Sequence, residues 1–212
     1  FVSVSDYYRH IVQDMFDIPR EKIQTIVNRV DLETYSNSHN PPKDPTIGFI
    51  SRMNPDHGLD DLAEAFILLK QKDRYKNLKL KITGGSTTDD ARFIKKMKKR
   101  LSRAQVIRDV EINDDYIGHR RHDFLQSLTV FCAPVRHDLA FGIYLIEALA
   151  SGIPVVQPKI GAFEEIIAKT GAGILYSPAA VENLTESLDK ALSDQAAFLR
   201  LKQNAIDNTK KH

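Results

Sequence analysis

From residue 46 onward the chain alternates short β-rich runs with amphipathic helical stretches, and no other feature restricts its fold as strongly. The runs are TIGFIS (46–51), LKLKIT (78–83), DVEIN (109–113), TVFCAPV (129–135), IPVVQP (153–158) and AGILYS (172–177). Between them apolar residues recur at intervals of three and four, as in Leu59, Leu62, Phe66 and Leu69, in Phe93, Met97 and Leu101, and in Leu184, Leu188 and Leu192. Strands separated by helices of this length pair in parallel through right-handed crossovers, so the spacing predicts an α/β fold with a doubly wound, mainly parallel six-stranded sheet. TVFCAPV and IPVVQP are nearly continuous in apolar residues, as central strands covered on both faces should be. A last helix is expected over 196–212, with Phe198, Leu201 and Ala205 on one side.

The first 45 residues differ. VSVS, a helical DYYRHIVQDMF and then KIQTIVNRVD predict a small strand–helix–strand extension, and SNSHNPPKDP (36–45) reads as a polar, Pro-rich surface connection. The division expected is therefore a segment 1–45 packing on a domain 46–212. With 42% hydrophobic residues the 212-residue chain has enough apolar material for one compact core. A net charge of +2 gives no case for nucleic acid or a membrane surface as the main partner. The lone Cys132 excludes an internal disulfide, fits a reducing, cytoplasmic compartment, and lies in an apolar run as a core residue. No run reaches the roughly 18 apolar residues of a transmembrane helix. No signal peptide is visible, and the absence of an initial Met leads us to expect a fragment of a longer chain. The basic helix ARFIKKMKKRLSR reads as a solvated face.

In an open sheet of this kind ligands bind at the carboxyl ends of the strands. The first run is followed by Arg52-Met-Asn-Pro-Asp-His57-Gly58. Arg52 reads either as a solvated arginine or as a bidentate phosphate clamp, and His57 would add a donor that bound phosphate keeps protonated. Gly84-Gly85 follows the second run and reads as a simple turn or as a close backbone approach to ligand; the full Gly-x-Gly-x-x-Gly spacing of a nicotinamide dinucleotide site is missing. His119 and His122 have no Cys beside them, and no metal site is expected. After the fourth run, Phe141-Gly142-Ile143 opens a helix whose free amides make an anion site. Glu147, one turn further in between Ile146 and Ala148, cannot serve a phosphate; it is either an exposed helical Glu or an acceptor for the two hydroxyls of a ribose. After the fifth run Gly161 leads into a helix with Glu164 and Glu165 in its first turn, which reads either as helix-dipole complementation or as a Gly loop near a sugar diphosphate.

Taken together, these stretches resemble the nucleotide-sugar-dependent glycosyltransferases of family four, with GT-B architecture. VSVSDYYRHIV…FDIPREKIQTIVNRVD is similar to the segment that opens the C-terminal domain and usually ends in Asn-Gly-Val-Asp. IGFISRMNPDHGLDDLAEAF is similar to the family's Gly-Arg…Lys-Gly…Ala stretch, and AFGIYLIEALASGIPVVQPKIGAFEEII to its Glu-Gly-Phe-Gly…Glu-Ala…Gly-x-Pro-Val-Val…Gly-Gly…Glu signature. The resemblance implies a Rossmann-like, donor-nucleotide-binding C-terminal domain. The N-terminal domain that supplies the acceptor site and further catalytic groups is then absent from this chain. It implies transfer of a hexose-type sugar from a nucleoside diphosphate, most often with retained configuration, to a glycan or glycolipid acceptor, at the cytoplasmic side of a membrane with peripheral association. The donor is a substrate; no cofactor or metal is implied, because cations and a helix end neutralise the leaving group.

By the same resemblance Glu147 matches the second Glu of Glu-x7-Glu, which binds ribose; Gly142 and Ile143 match the amides near the diphosphate; Arg52 matches the arginine that stabilises the departing diphosphate. The loop at Tyr116 to Gly118 matches the base contact. The set expected is Arg52 and His57 as catalytic residues, with Glu147, Gly142, Ile143, Phe141, Gly58, Gly85, Gly161, Asp138 and Tyr116 binding the donor. The chain departs from the pattern at Leu139, where the first Glu falls and where Asp138 could substitute; at His57, in place of Lys; at Arg29, which would be strained if its position required φ > 0; and at Ala162, in place of Gly. Leu139 keeps open two alternatives, a non-catalytic nucleotide-binding or scaffold member and a different GT-B enzyme such as a nucleotide-sugar epimerase. This fragment alone is expected to bind nucleotide without turnover.

Overall fold

The computed structural model describes residues 1–35, 40–113 and 121–209. The chain opens with strand β1 (Val2–Ser3), helix α1 (Asp6–Phe16) and strand β2 (Gln24–Thr25), and β1 pairs with β2 in parallel. A four-residue helix α2 (Leu32–Tyr35) follows. Then come β3 (Thr46–Ile50), α3 (Leu59–Lys70), β4 (Lys79–Thr83), α4 (Ala91–Arg103), β5 (Val110–Asn113), α5 (Arg121–Gln126) and β6 (Val130–Phe131). The chain continues through α6 (Ile143–Ala150), β7 (Val155–Pro158), α7 (Phe163–Thr170), β8 (Gly173–Tyr176), α8 (Val181–Ser193) and α9 (Gln195–Thr209).

The six strands β3 to β8 lie in the order β5-β4-β3-β6-β7-β8 with every neighbouring pair parallel, so the doubly wound sheet expected from the alternation is the one that forms. The chain builds outward from β3 in one direction and from β6 in the other. The topological switch point therefore falls between β3 and β6, where an open sheet places its ligand crevice. Every residue of β3, β6 and β7 is buried, as expected of strands with helices on both faces. Helix α3 packs on α4 and α8, while α6 and α7 pack on α9. The predicted stripe Leu59, Leu62, Phe66 and Leu69 of α3 is fully buried.

Two runs are shorter as strands than their apolar character suggested. TVFCAPV pairs only at Val130–Phe131, because the chain turns away toward Pro134, which has no N–H to give a ladder; Cys132 N still donates to Gly48 O at 2.9 Å. In KIQTIVNRVD only Gln24–Thr25 pairs. Arg29 is not strained: among the described residues only Asp17 and Gln105 have φ > 0 without being Gly.

The N-terminal extension is held by polar ties as well as by Val4, Tyr7, Val27 and Tyr35 packing against the core. Helix α1 buries no residue, and Met15 and Phe16 stay exposed. Ser5, 1% exposed, caps α1 by accepting from Tyr8 N at 3.0 Å and donates its hydroxyl to Ala140 O at 2.6 Å, just before α6. Tyr7 N donates to Glu165 Oε2 at 3.0 Å on α7. Ser5→Ala removes both the cap and the tie, and is expected to cost about 1–2 kcal/mol in urea unfolding.

Candidate functional site

The turn that follows β3 is set by Asn54. Its Oδ1 accepts from His57 N at 3.1 Å and lies 2.6 Å from His57 Nδ1. An amide oxygen only accepts, so Nδ1 carries the proton and Nε2 is left as the basic nitrogen. Burial is the main cause that pulls the His57 pKa below its ordinary value; Arg52 and His137 act the same way, against Asp56 and Asp90. The neutral form of His57 is thereby favoured, unlike the charged Lys that the family pattern has at this position. Gly58 then turns the chain into α3 at φ +68, against the Pro134 carbonyl of the loop after β6.

Arg52 leaves the carboxyl end of β3 half exposed and anchored on α4's approach. Its Nε donates to Asp90 Oδ2 at 3.1 Å and its Nη2 to Thr87 Oγ1 at 3.1 Å. Asp90 is buried, and Thr87 N donates to it at 2.8 Å. That backbone bond first, and then Arg52, hold the Asp90 carboxyl below the usual range even though burial opposes them. Arg52 is thus a cation fixed in place by a buried carboxylate. Beside it opens a crevice of about 440 Å³ lined by Ser51, Arg52, Gly84, Gly85, Thr87 and Tyr144. The structure brings Arg52, Gly85 and the first turn of α6 together around one space at the switch point.

Gly142 caps α6 at φ +96, and Leu145 N returns to Gly142 O at 3.0 Å. The amides of Ile143 and Tyr144 find no acceptor among the described residues. Free amides at a helix start and a guanidinium lining the neighbouring crevice are groups that can bind an anion such as a diphosphate.

Glu147 lies on α6 and is only 5% exposed, which removes the reading of it as a surface residue. Its Oε1 accepts from Arg121 Nη1 on α5 at 2.5 Å and from the Tyr35 hydroxyl on α2 at 3.1 Å. Its Oε2 is buried with no partner among the described residues. Burial, and then the Glu147 charge, push the Tyr35 phenol up to about 12, so it stays a donor at neutral pH. A buried carboxylate needs a cation. Neither Arg121 nor Tyr35 was singled out in the sequence: Arg121 lies in the polar stretch between His119 and His122, Tyr35 in the extension. The apolar neighbours of Glu147 in the sequence gave no signal for either partner.

The remaining candidates lie elsewhere. Leu139 is half-buried against the core, and its carbonyl accepts from Ala162 N at 3.1 Å. Gly161 (φ +57) abuts the Leu139 backbone, where a Cβ would sit 2.7 Å from its amide nitrogen. Asp138 is exposed and hydrogen-bonds the Tyr7 phenol, which burial first and Asp138 second push up to about 12. Phe141 is buried and lines a separate pocket of about 160 Å³ with Val27, Ile146 and Ile166. Glu165, besides receiving Tyr7 N, pairs with Lys169 at 2.7 Å. Tyr116, Gly118 and His119 lie outside the described residues.

The D-inositol 3-phosphate glycosyltransferase of Corynebacterium glutamicum (strain R) is 22% identical over 211 residues, which covers 92% of this chain and 49% of that protein. The chain spans about half the length of the curated relatives it matches in this group. It superposes on the C-terminal domain of a glycosyl transferase group 1 family protein (LpcC) from Francisella tularensis with a TM-score of 0.77 at 23% identity, covering 86% of this chain and 97% of that one. Against Anabaena Alr3699/HepE, solved in complex with UDP and glucose, the TM-score is 0.84 at 17% identity, over 99% of this chain and 58% of that one. The match to the family of glycosyl transferases group 1 runs over residues 31–212; the chain belongs to that family and has the fold of its C-terminal domain.

Proposed function

We propose that this chain is the donor-binding half of a nucleotide-sugar-dependent glycosyltransferase that transfers a hexose-type sugar, with retention, to a glycan or lipid-linked acceptor bound by an N-terminal domain. The observation that carries the reading is the pairing, on one short helix, of free amides at its start with a buried carboxylate one turn in. Diphosphate takes the amides and Arg52; ribose takes Glu147. As the glycosidic bond breaks, negative charge grows on the leaving diphosphate. Arg52, held by Asp90, and the α6 amides are oriented before that charge appears, so stabilising it requires little reorganisation. This set of groups requires no metal.

UDP, GDP and ADP in thermal melts test the reading, with UDP first because the HepE structure holds it. A nucleotide at about 100 times its Kd adds about 2.7 kcal/mol, a rise of about 5–10 °C. Glu147→Ala is expected to abolish the rise. Absence of any rise with all three nucleotides would count against the donor site.

His57 makes the binding pH-dependent. Its pKa lies below the ordinary value in the free chain, and an adjacent diphosphate raises it, so binding takes up a proton between the two values. Affinity is expected to increase as pH falls from 8 to 6. Calorimetry in two buffers of different ionisation enthalpy should show proton uptake, and His57→Gln should remove it.

A second reading, a nucleotide-binding member without transferase activity, is favoured by Leu139, which stands where the family pattern has its first Glu. Turnover by the full-length protein with a donor panel separates the two. Isomerised free sugar in the same assay would instead indicate an epimerase.

A further inference from the structure

The way Glu147 is held goes beyond what its place in the family pattern implies. Its two donors come from different parts of the chain, Tyr35 from the extension and Arg121 from the helix after β5, and both land on Oε1. An ionised carboxylate offers about four acceptor sites over its two oxygens. Two donors crowd one oxygen, while the other is withdrawn from water and unfilled among the described residues. The Arg121 contact is thus made to a single oxygen, where a forked arginine pair would share both. The Arg121 side chain is 17% exposed, so the contact is shielded from solvent on both sides. The Tyr35 ring is steadied by an edge contact with His122, at a centroid separation of 6.0 Å, next to Arg121 on the same helix.

We propose that Arg121 and Tyr35 are positioning residues: they pin one oxygen of Glu147 from two elements and reserve the other for a ligand hydroxyl, so that they set the preference for ribose over deoxyribose. This rests on the reading of Glu147 as the ribose acceptor. The pair touches the carboxylate and acts on the sugar ring only through it. Tyr35 also makes the extension part of the site, because the ribose acceptor is not fully held without it.

The test compares UDP, GDP and ADP with their 2′-deoxy forms by titration calorimetry on the 212-residue chain. Wild type is expected to favour the ribonucleotide by roughly 10- to 100-fold, the range of one hydrogen bond to a charged group. Glu147→Gln should shrink that ratio. Tyr35→Phe and Arg121→Met should each lower ribonucleotide affinity roughly 3- to 10-fold while lowering that of the 2′-deoxynucleotide, which keeps only the 3′-hydroxyl, by a smaller factor, and Arg121→Lys should recover part of the ratio. A purely structural role would weaken both nucleotides by the same factor, and that result overturns the proposal. So does a ratio that collapses in Glu147→Gln but survives in Tyr35→Phe, with the ribose reading left intact. A wild type without preference, or without nucleotide binding, overturns the ribose reading and this inference with it. Tyr35→Phe keeps the ring and decides the matter should Arg121→Met fail to fold.

Discussion

Arg121→Met is expected to lower the unfolding free energy by about 3–5 kcal/mol, the cost of leaving a buried charge without its partner. Glu147 is 5% exposed and takes its cation from Arg121 at 2.5 Å, so water cannot replace what the substitution removes. The Tyr35 hydroxyl remains but brings no charge. The double variant Arg121→Met/Glu147→Met should regain most of the loss, because an apolar pair of similar volume needs neither hydration nor a counter-ion. Urea unfolding of the two single variants and the double closes a thermodynamic cycle. Additive losses would mean that the two side chains are not coupled as the geometry requires. Restored stability with lost nucleotide binding is the result that places the ion pair in the protein for ligand recognition.

Gly58→Ala is the second large effect. At φ +68 any side chain is penalised by roughly 1–2 kcal/mol, and here a Cβ would meet the Pro134 carbonyl oxygen at 1.8 Å. That neighbour is backbone and cannot rotate away, so either the turn after β3 or the loop after β6 must shift, adding the roughly 1–3 kcal/mol typical of overpacking. The total expected is about 2–5 kcal/mol. Because those two loops flank the switch point, the shift would also carry Arg52 and His57 away from the start of α6. A variant that melts as wild type and keeps its nucleotide affinity would show that the loops are not locked together.

Much of this architecture was legible without coordinates. The alternation of β-rich runs with helical stripes leads to a parallel sheet because the spacing admits only right-handed crossovers, and β3 to β8 fall within the runs that predicted them. The stretch Phe141-Gly142-Ile143 was read as a helix start from its Gly, and α6 begins at Ile143 with Gly142 in the left-handed region. The ends of strands were less legible. Val130–Phe131 is a two-residue ladder inside an apolar run because burial and pairing are separate requirements, and composition reports only burial.

The site divides along the same line. Local rules identify residues that serve as strand ends, helix caps and turns, so Arg52, His57, Gly58, Gly142 and Glu147 could be named from their neighbours in the chain. The partners of those residues come from far away in sequence: Asp90 for Arg52, the Pro134 carbonyl for Gly58, and Tyr35 and Arg121 for Glu147, which lie 112 and 26 positions distant. By itself the sequence determined the layered fold, the strand ends at which an open sheet of this kind places its crevice and the presence of a carboxylate on an apolar helix. Only the tertiary structure decided that this carboxylate is buried and which cation and which hydroxyl accompany it, because the identity of a buried charge's partner depends on which loops the sheet brings together.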